Sequence, residues 1–262
     1  MKSKVTSKDG TIITYDKAGH GDVVILVLGA LNSRKSGSRL AKILSAHFTV
    51  VNYDRRGRGD STDTKPYSPG REFEDMKALI DVIGEPVYIY GHSSGAAIAL
   101  QAGSKLSGQV KKIAIYEAPY SLHDEEYKTA SEYYAQLKKL LREGRKADAV
   151  TLFIRSVGVS DKQIQAIKRM PMWKGLEAMA PTLAYDSDIM GKGHVLPVAL
   201  LKSIKIPTLV MHGGASSVQM RDAAQAITKY IPRAQILTLD GQTHGVSPKS
   251  LAPVLVEFFS AE

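Results

Sequence analysis

The stretch Val87-Tyr88-Ile89-Tyr90-Gly91-His92-Ser93-Ser94-Gly95-Ala96-Ala97-Ile98 decides the fold. Its first four residues are β-branched and aromatic, which is typical of a buried strand, and a helical pattern follows from Ala96 to Gly103. The five residues between them have the spacing G-x-S-x-G. A turn this tight strains the serine backbone, and its two glycines leave room for neighbouring chain. We therefore predict that the Ser93 hydroxyl lies at the carboxyl end of a sheet, beside a helix N-terminus that favours negative charge.

Further apolar runs lie on both sides of this stretch, and turn residues bound them. A helical pattern covers Glu72–Ile83 between two of these runs. Strands that alternate with helices predict right-handed crossovers and a mostly parallel sheet, hence an α/β protein. The predicted strands besides Val87–Tyr90 are Thr11–Asp16, Val23–Leu28, Phe48–Tyr53, Ile113–Tyr116, Thr208–Met211 and Gln235–Leu239.

One long segment between the strands ending at Tyr116 and starting near Ile206 has no strand pattern. Helical spacing covers Tyr127–Leu141 and Ala147–Val157, and Ser160-Asp161-Lys162-Gln163 has the form of a capping box that opens a third helix. A fourth helix is predicted over Trp173–Tyr185. We expect residues 1–118 and 206–262 to form the core and residues 119–205 a helical cap inserted after the sixth strand, within a single structural domain.

Composition excludes several classes of protein. The 262 residues are 44% hydrophobic and 23% charged, which is ordinary for a globular chain and unlike a disordered one. No cysteine is present, so a disulfide scaffold, an iron–sulfur cluster and a thiol nucleophile are excluded. The histidines and carboxylates lack HExxH-type ligand spacing, and no glycine-rich dinucleotide fingerprint occurs. The sequence predicts neither a metal site nor a bound cofactor.

Charge raises the question of an anionic partner, because the formal net charge is +9. The excess lysines and arginines are spread along the chain without the interleaved aromatic residues of nucleic-acid modules, so we expect a solvated basic surface and no nucleic-acid partner. No apolar run approaches the ~20 residues of a membrane span, and Met1–Lys8 lacks the apolar core of a secretion signal. We expect a cytoplasmic protein without a membrane span, as a monomer or homodimer.

A base for Ser93 is predicted in the segment Gly241-Gln242-Thr243-His244-Gly245, which follows the last strand. His244 lies there in a glycine-flanked loop. His20 and His47 precede the serine, and His123 and His194 belong to the inserted segment, so they fit the role less well. A serine nucleophile also needs an acidic residue that orients the base.

On these motifs the chain resembles the α/β-hydrolase superfamily over nearly its whole length. Leu28-Gly29-Ala30 resembles the family's His-Gly-x turn, with leucine in place of the histidine, and Asp54–Ser61 resembles its D-x-R-G-x-G-x-S segment. The resemblance implies a mostly parallel eight-stranded sheet flanked by helices. It also implies an oxyanion hole built from the backbone N–H groups of Ala30 and Ser94. The Arg55–Arg58 cluster is then interpreted as an anchor of its own loop.

The family's usual acid is missing, because Met211-His212-Gly213-Gly214-Ala215-Ser216 carries serine where the aspartate is expected. Some members take the acid from the loop after the sixth strand, and Glu117 lies there. Glu117 is therefore the preferred acid, with Asp222 and Asp240 as alternatives. The remaining alternative is that no acid exists.

The residues and the resemblance together predict a serine hydrolase, a carboxylesterase with the triad Ser93, His244 and Glu117. It cleaves an ester or related acyl bond of a small, largely apolar substrate through an acyl-serine. Thioesterase, lactonase and cofactor-free perhydrolase activities use the same site, so they stay open. A chain without an acid would be a slow enzyme, or a ligand-binding or signalling protein on a hydrolase frame. The methionines between Met170 and Met190, beside Trp173, fit either an apolar chamber under the cap or ordinary helix packing.

Overall fold

A mostly parallel sheet forms the centre of the protein, seen in a computed structural model that describes residues 2–106 and 108–261. Within that part of the chain the sheet has eight strands in the order β1-β2-β4-β3-β5-β6-β7-β8. β1 and β2 are antiparallel to their neighbours and the remaining strands are parallel to one another, so the predicted mostly parallel sheet is confirmed. The strands are β1 Lys2–Thr6, β2 Ile12–Ala18, β3 Val23–Val27, β4 Thr49–Tyr53, β5 Val87–His92, β6 Val110–Tyr116, β7 Thr208–Gly213 and β8 Ala234–Leu239.

Helices cover both faces of the sheet. One apolar layer contains side chains of the second and third helices, and the other contains side chains of the first and last. The central strands β3 and β4 are buried at every position, because apolar residues face both layers. The helices outside the insertion are α1 Arg34–Leu44, α2 Pro69–Ile83, α3 Ser94–Lys105, α10 Val218–Tyr230 and α11 Pro248–Ser260.

The segment between β6 and β7 is helical, as predicted. Ser160 caps one of its helices by accepting a hydrogen bond from the Gln163 N–H, so the predicted capping box is confirmed. The prediction of a single helix over Trp173–Tyr185 is wrong. A 3-10 turn at Ala180–Thr182 divides it, because Pro181 has no N–H group and its ring obstructs the preceding turn. The helices are α4 Asp124–Arg142, α5 Lys146–Ser156, α6 Asp161–Lys168, α7 Trp173–Met179, α8 Leu183–Met190 and α9 Val198–Ser203.

The inserted helices have an apolar interior of their own. Leu137, Val150 and Trp173 are buried in it together with Ala30 and Leu31, which belong to the loop after β3. The insertion therefore rests directly on that loop. α8 and α9 also pack against the core, because Met190 of α8 and Leu201 of α9 lie in the apolar layer that contains α3.

The methionines of the insertion do not share one environment. Met170 and Met172 are 48% and 56% exposed, so they do not line an enclosed chamber, whereas Met190 is buried against the sheet. The helix-packing interpretation holds for Met190.

The prediction that the Arg55–Arg58 cluster anchors its own loop is confirmed. Arg55, Arg56 and Arg58 are among the largest fully buried side chains, so they present no charge to a nucleic acid. Asp9 and Asp75 pair with Arg56, and these contacts fix the loop after β4. In the described ranges no helix has both the length and the apolar character needed to cross a membrane.

Candidate active site

Ser93 occupies the turn between β5 and α3 with a φ of +56°, in the left-handed region that is strained for a residue other than glycine. A Cβ at Gly95 would lie 2.2 Å from the carbonyl oxygen of Val27, and one at Gly91 would lie 2.7 Å from Ala96 Cα. Only glycine fits at these two positions. The Ser93 N–H donates to the carbonyl of Tyr116 at 2.9 Å, which fastens the turn to β6.

His244 lies in the loop between β8 and α11, with its Nε2 atom 3.2 Å from Ser93 Oγ. Two hydrogen bonds to backbone carbonyls hold this loop over the sheet. The Tyr116 hydroxyl donates to the carbonyl of Thr243 at 2.7 Å, and His92 Nε2 lies 2.9 Å from the carbonyl oxygen of His244. The imidazole of His244 is thereby placed above the Ser93 hydroxyl.

His92 is neutral at neutral pH. Its burial, reinforced by the neighbouring His244, lowers the pKa of the His92 imidazole to about 4. Because its Nε2 atom faces a carbonyl oxygen, that nitrogen must carry the proton and donate. This contact joins the turn at Ser93 to the distant His244 loop, so it depends on the fold.

Glu117 follows β6 directly and lies on the other side of the His244 ring. Its Oε2 is 2.8 Å from His244 Nδ1, and its Oε1 accepts from the Gly213 N–H at 2.8 Å. The side chain is completely buried. Burial acts to raise the pKa of this carboxyl, but His244, the nearby Ser216 hydroxyl and the Gly213 N–H outweigh it and hold the pKa below its ordinary value. Glu117 is therefore ionised at neutral pH.

The other acid candidates do not reach the His244 ring in the described structure. Asp222 lies on α10 and pairs with Arg221 at 3.4 Å near the surface. Asp240 is exposed at the end of β8. His244 Nδ1 has Glu117 as its carboxylate partner.

The turn after β3 passes next to Ser93. A Cβ on Gly29 would lie 2.8 Å from Ser93 Cβ, so the backbone that leads into Ala30 runs directly beside the serine. Ser94 is the first residue of α3, where backbone N–H groups have no acceptor within the helix. Two arginines hold the turn: Arg55 Nη1 donates to the carbonyl of Leu28 at 3.2 Å and Arg58 Nη1 to that of Gly29 at 2.6 Å.

Asp186, on α8, joins the inserted helices to this turn, and sequence reasoning missed it. Its Oδ1 accepts from Arg55 Nη1 at 2.8 Å and from Ser94 Oγ at 2.6 Å, and both of its oxygens lie 2.8 Å from Arg58 Nη2. Glu72 of α2 binds Arg55 from the opposite side at 2.7 Å. Buried arginines need carboxylate partners, but nothing in the sequence indicates which distant residue supplies one.

Metal-assisted chemistry has no ligand set in the part of the chain that is described. No group of three or more histidine, aspartate or glutamate side chains is arranged there to hold an ion. The chemistry available at the site is that of a hydroxyl, an imidazole and a buried carboxylate in hydrogen-bond contact.

Comparisons with known proteins identify the family and the fold. The model of the alpha/beta hydrolase family matches residues 20–252. An alpha/beta hydrolase from Sphaerobacter thermophilus is similar at 46% identity and a TM-score of 0.87, over 98% of this chain and 100% of that one. Two esterases share the fold: that of Thermogutta terrifontis (19% identity, TM-score 0.76, 99% and 98% covered) and that of Exiguobacterium antarcticum (17%, 0.80, 100% of both).

Proposed function

Since the chain belongs to the alpha/beta hydrolase family, we propose that it is a serine hydrolase that cleaves a carboxylic ester or related acyl bond. The observation that carries the proposal is the continuous contact from Glu117 through His244 to Ser93, at 2.8 and 3.2 Å. A hydroxyl, an imidazole and a carboxylate in this order form an activated nucleophile with its base and the group that orients the base.

In the proposed first step, His244 Nε2 takes the proton of Ser93 as the oxygen attacks the substrate carbonyl. The developing oxyanion accepts hydrogen bonds from the backbone N–H groups of Ala30 and Ser94. Each such donor lowers the barrier by roughly 3 kcal/mol. His244 then gives its proton to the leaving alcohol, and an acyl-serine remains. In the second half of the reaction His244 removes a proton from water as the water attacks the acyl-serine. His244 then gives that proton to Ser93 Oγ as the acyl–oxygen bond breaks and the acid is released.

Glu117 has two roles in this scheme. It accepts the Nδ1–H of His244, so the unprotonated nitrogen of the neutral ring faces Ser93. It also lies next to the imidazolium that forms in each transition state, and its negative charge stabilises that cation. Both roles need an ionised carboxylate, and the lowered pKa of Glu117 supplies one throughout the neutral range.

For the substrate, we propose a small, largely apolar acyl group. The inserted helices, which we interpret as the predicted cap over residues 119–205, bring apolar side chains down onto Ala30 and Leu31. An acyl chain that extends from Ser93 toward the cap then meets an apolar surface. Two structural neighbours are esterases, and carboxylic esters are accordingly the first substrates to test.

A fluorophosphonate probe tests the nucleophile, and nitrophenyl esters of increasing chain length test the reaction. We expect Ser93 to be labelled and Ser93→Ala to abolish both labelling and turnover. Ser104→Ala, which removes a surface hydroxyl paired with Ser203, is the matched control. Thioesters, lactones and amides run in parallel identify the acyl class. If the folded protein shows neither labelling nor turnover, the ligand-binding alternative replaces the enzyme.

A further inference from the structure

Asp186 is a buried carboxylate of α8 whose partners all belong to the core of the hydrolase. The residue is 7% exposed. Arg55, Arg58 and Ser94, its hydrogen-bond partners, come from the loop after β4 and from the start of α3. One side chain of the inserted helices therefore contacts two separate segments of the core, the loop after β4 and the start of α3.

The four buried charges at this point balance one another. Arg55 and Arg58 supply two positive charges, and Glu72 and Asp186 supply two negative ones. Within the described chain, Asp186 is the carboxylate that pairs with Arg58. Burial acts to raise the pKa of Asp186, but the two arginines outweigh it, so the pKa lies below the ordinary value and the group stays ionised. Without its charge, the guanidinium of Arg58 is left buried and unpaired, which is strongly unfavourable.

The arginines transmit this arrangement to the turn beside Ser93. Arg55 binds the carbonyl of Leu28 and Arg58 binds that of Gly29, and the next residue is Ala30. Peptide planes are rigid, so the direction of these two carbonyls also sets the direction of the N–H groups that follow them. Asp186 reaches the second proposed donor directly, through the side chain of Ser94.

We propose that Asp186 is a positioning residue through which the inserted helices set the place of both oxyanion donors, Ala30 N–H and Ser94 N–H. The proposal rests on the hydrolase function proposed above. It assigns to the cap a part in building the site, in addition to enclosing the substrate.

α8 also contacts the core outside this charged network. The adjacent Tyr185 stacks on Tyr67 with ring centroids 3.6 Å apart, and its hydroxyl donates to Asp63 at 2.7 Å. A buried ion pair is weak evidence for added stability, because desolvation offsets most of its attraction. The charged network around Asp186 contacts both segments that carry the oxyanion donors, and α8 has a second contact with the core that involves no buried ion pair. This combination points to a role of the network in positioning the donors.

The test compares Asp186→Asn with Asp188→Asn, which lies on the same helix and accepts from the Tyr134 hydroxyl inside the insertion. Amide hydrogen exchange measures the turn at residues 28–31 and the start of α3 directly. We expect exchange there to become at least about tenfold faster in Asp186→Asn and to stay within about twofold of wild type in Asp188→Asn. This readout needs no catalytic activity.

Ester hydrolysis then measures the consequence. We expect kcat of Asp186→Asn to fall by about 10- to 100-fold with KM within about threefold, because displaced oxyanion donors weaken the transition state more than the bound substrate. Asp188→Asn should keep its kcat. Ser94→Ala removes the hydroxyl that donates to Asp186 and accepts from Arg55 Nη1 at 3.3 Å, and it keeps the N–H. We expect a several-fold loss of kcat that adds little in the Asp186→Asn background.

The outcomes separate the two proposals. Unchanged exchange at residues 28–31 and 93–96 in Asp186→Asn overturns the positioning role, and so does a rise in kcat, which would mean that the carboxylate only repels the oxyanion. Should Asp186→Asn fail to fold, the exchange and kcat of Ser94→Ala decide the question. Faster exchange in a protein without any hydrolase activity leaves positioning standing and removes the proposed function.

Discussion

Replacing Glu117 by glutamine tests the triad with almost no change in shape. The new side chain keeps an oxygen that can accept from the Gly213 N–H, which Glu117 Oε1 now binds at 2.8 Å. Its NH₂ group then faces His244 Nδ1, where a carboxylate oxygen was at 2.8 Å. An NH₂ donor requires Nδ1 to be an acceptor. The imidazole is thereby fixed in the tautomer whose proton sits on Nε2, facing Ser93, and this ring cannot accept the serine's proton.

The size of the effect follows from the same distances. At 2.8 Å and an effective dielectric constant of about 20, a carboxylate and an imidazolium attract each other by about 6 kcal/mol. His244 is 28% exposed, so water weakens part of this attraction. Neutralising a triad acid is known to lower turnover about 10⁴-fold, which is about 5.5 kcal/mol. We expect kcat of Glu117→Gln to fall by about 10³- to 10⁴-fold.

Steady-state hydrolysis of a short nitrophenyl ester measures kcat, and circular dichroism and thermal unfolding show whether the variant is folded. Glu117→Ala provides a comparison, since it removes the acceptor without fixing the wrong tautomer; its kcat should be no lower than that of Glu117→Gln. Asp222→Ala and Asp240→Ala are the controls on the other acid candidates. They should stay within about threefold of wild type, because both residues lie away from the His244 ring.

The reasoning is refuted if Glu117→Gln keeps more than a tenth of the wild-type kcat while folding normally. A large loss in Asp222→Ala or Asp240→Ala would assign the acid to that residue. If Glu117→Gln loses kcat and loses unfolding free energy to an equal extent, the role of Glu117 is structural. The unfolding free energy is therefore measured on each variant.

Three further predictions concern the surroundings of the triad. The folded pKa of His92, about 4, lies below its ordinary 6.5, so its contribution to stability is complete above pH 6.5 and is lost as the pH falls toward 4. His92→Gln keeps the hydrogen-bond donor but does not titrate. Measured by urea unfolding, its unfolding free energy should fall by about 2–3 kcal/mol less between pH 7 and pH 4 than that of wild type. An equal fall in the two proteins would contradict this. Ser216→Asp places a second carboxylate beside the buried Glu117 and should lower the unfolding free energy by about 1–3 kcal/mol. In the Glu117→Ala background the same substitution should raise kcat at least about tenfold. If kcat does not rise, a carboxylate at position 216 cannot pair with the His244 imidazole. Gly29→Ala forces a Cβ to within 2.8 Å of Ser93 Cβ and should lower kcat by about 10- to 100-fold with the fold intact, as measured by ester turnover and thermal unfolding; wild-type turnover would show that the turn can move away.

Sequence reasoning was most successful where local geometry leaves few choices. The residues around Ser93 specify a strand, a tight turn and a helix within a dozen positions, and the structure has that arrangement, with β5 ending at His92 and α3 beginning at Ser94. The strand β1 was not among the predicted runs, because Lys2-Ser3-Lys4-Val5-Thr6 is a mainly polar edge strand with one apolar residue. Edge strands lack the apolar pattern that makes central strands recognisable.

Contacts between distant segments could not be predicted in the same way. Arg58 and Asp186 are 128 residues apart in sequence, and their pairing depends on how α8 lies against the core. The break at Pro181 was missed for another reason: apolar spacing continues across Trp173–Tyr185, so the periodic signal concealed the proline's effect on the backbone. Burial of the arginines supports the predicted anchoring role, but their carboxylate partners could be identified only from the three-dimensional structure.

The position of Glu117 shows how a serine at position 216 is compatible with a carboxylate at the site. β6 and β7 are neighbours, so the ends of these strands lie about 5 Å apart at the same edge of the sheet. A carboxylate moved from the loop after β7 to the end of β6 must therefore reach further toward His244, and glutamate is one methylene longer than aspartate. The φ of +48° at Glu117 turns the chain as it leaves β6. The end of β7 still contributes, because the N–H of its last residue, Gly213, donates to Glu117 Oε1 and orients the carboxylate. In this protein the segment that resembles the family's acid position donates a hydrogen bond to the proposed acid, Glu117, which directly follows the neighbouring strand β6.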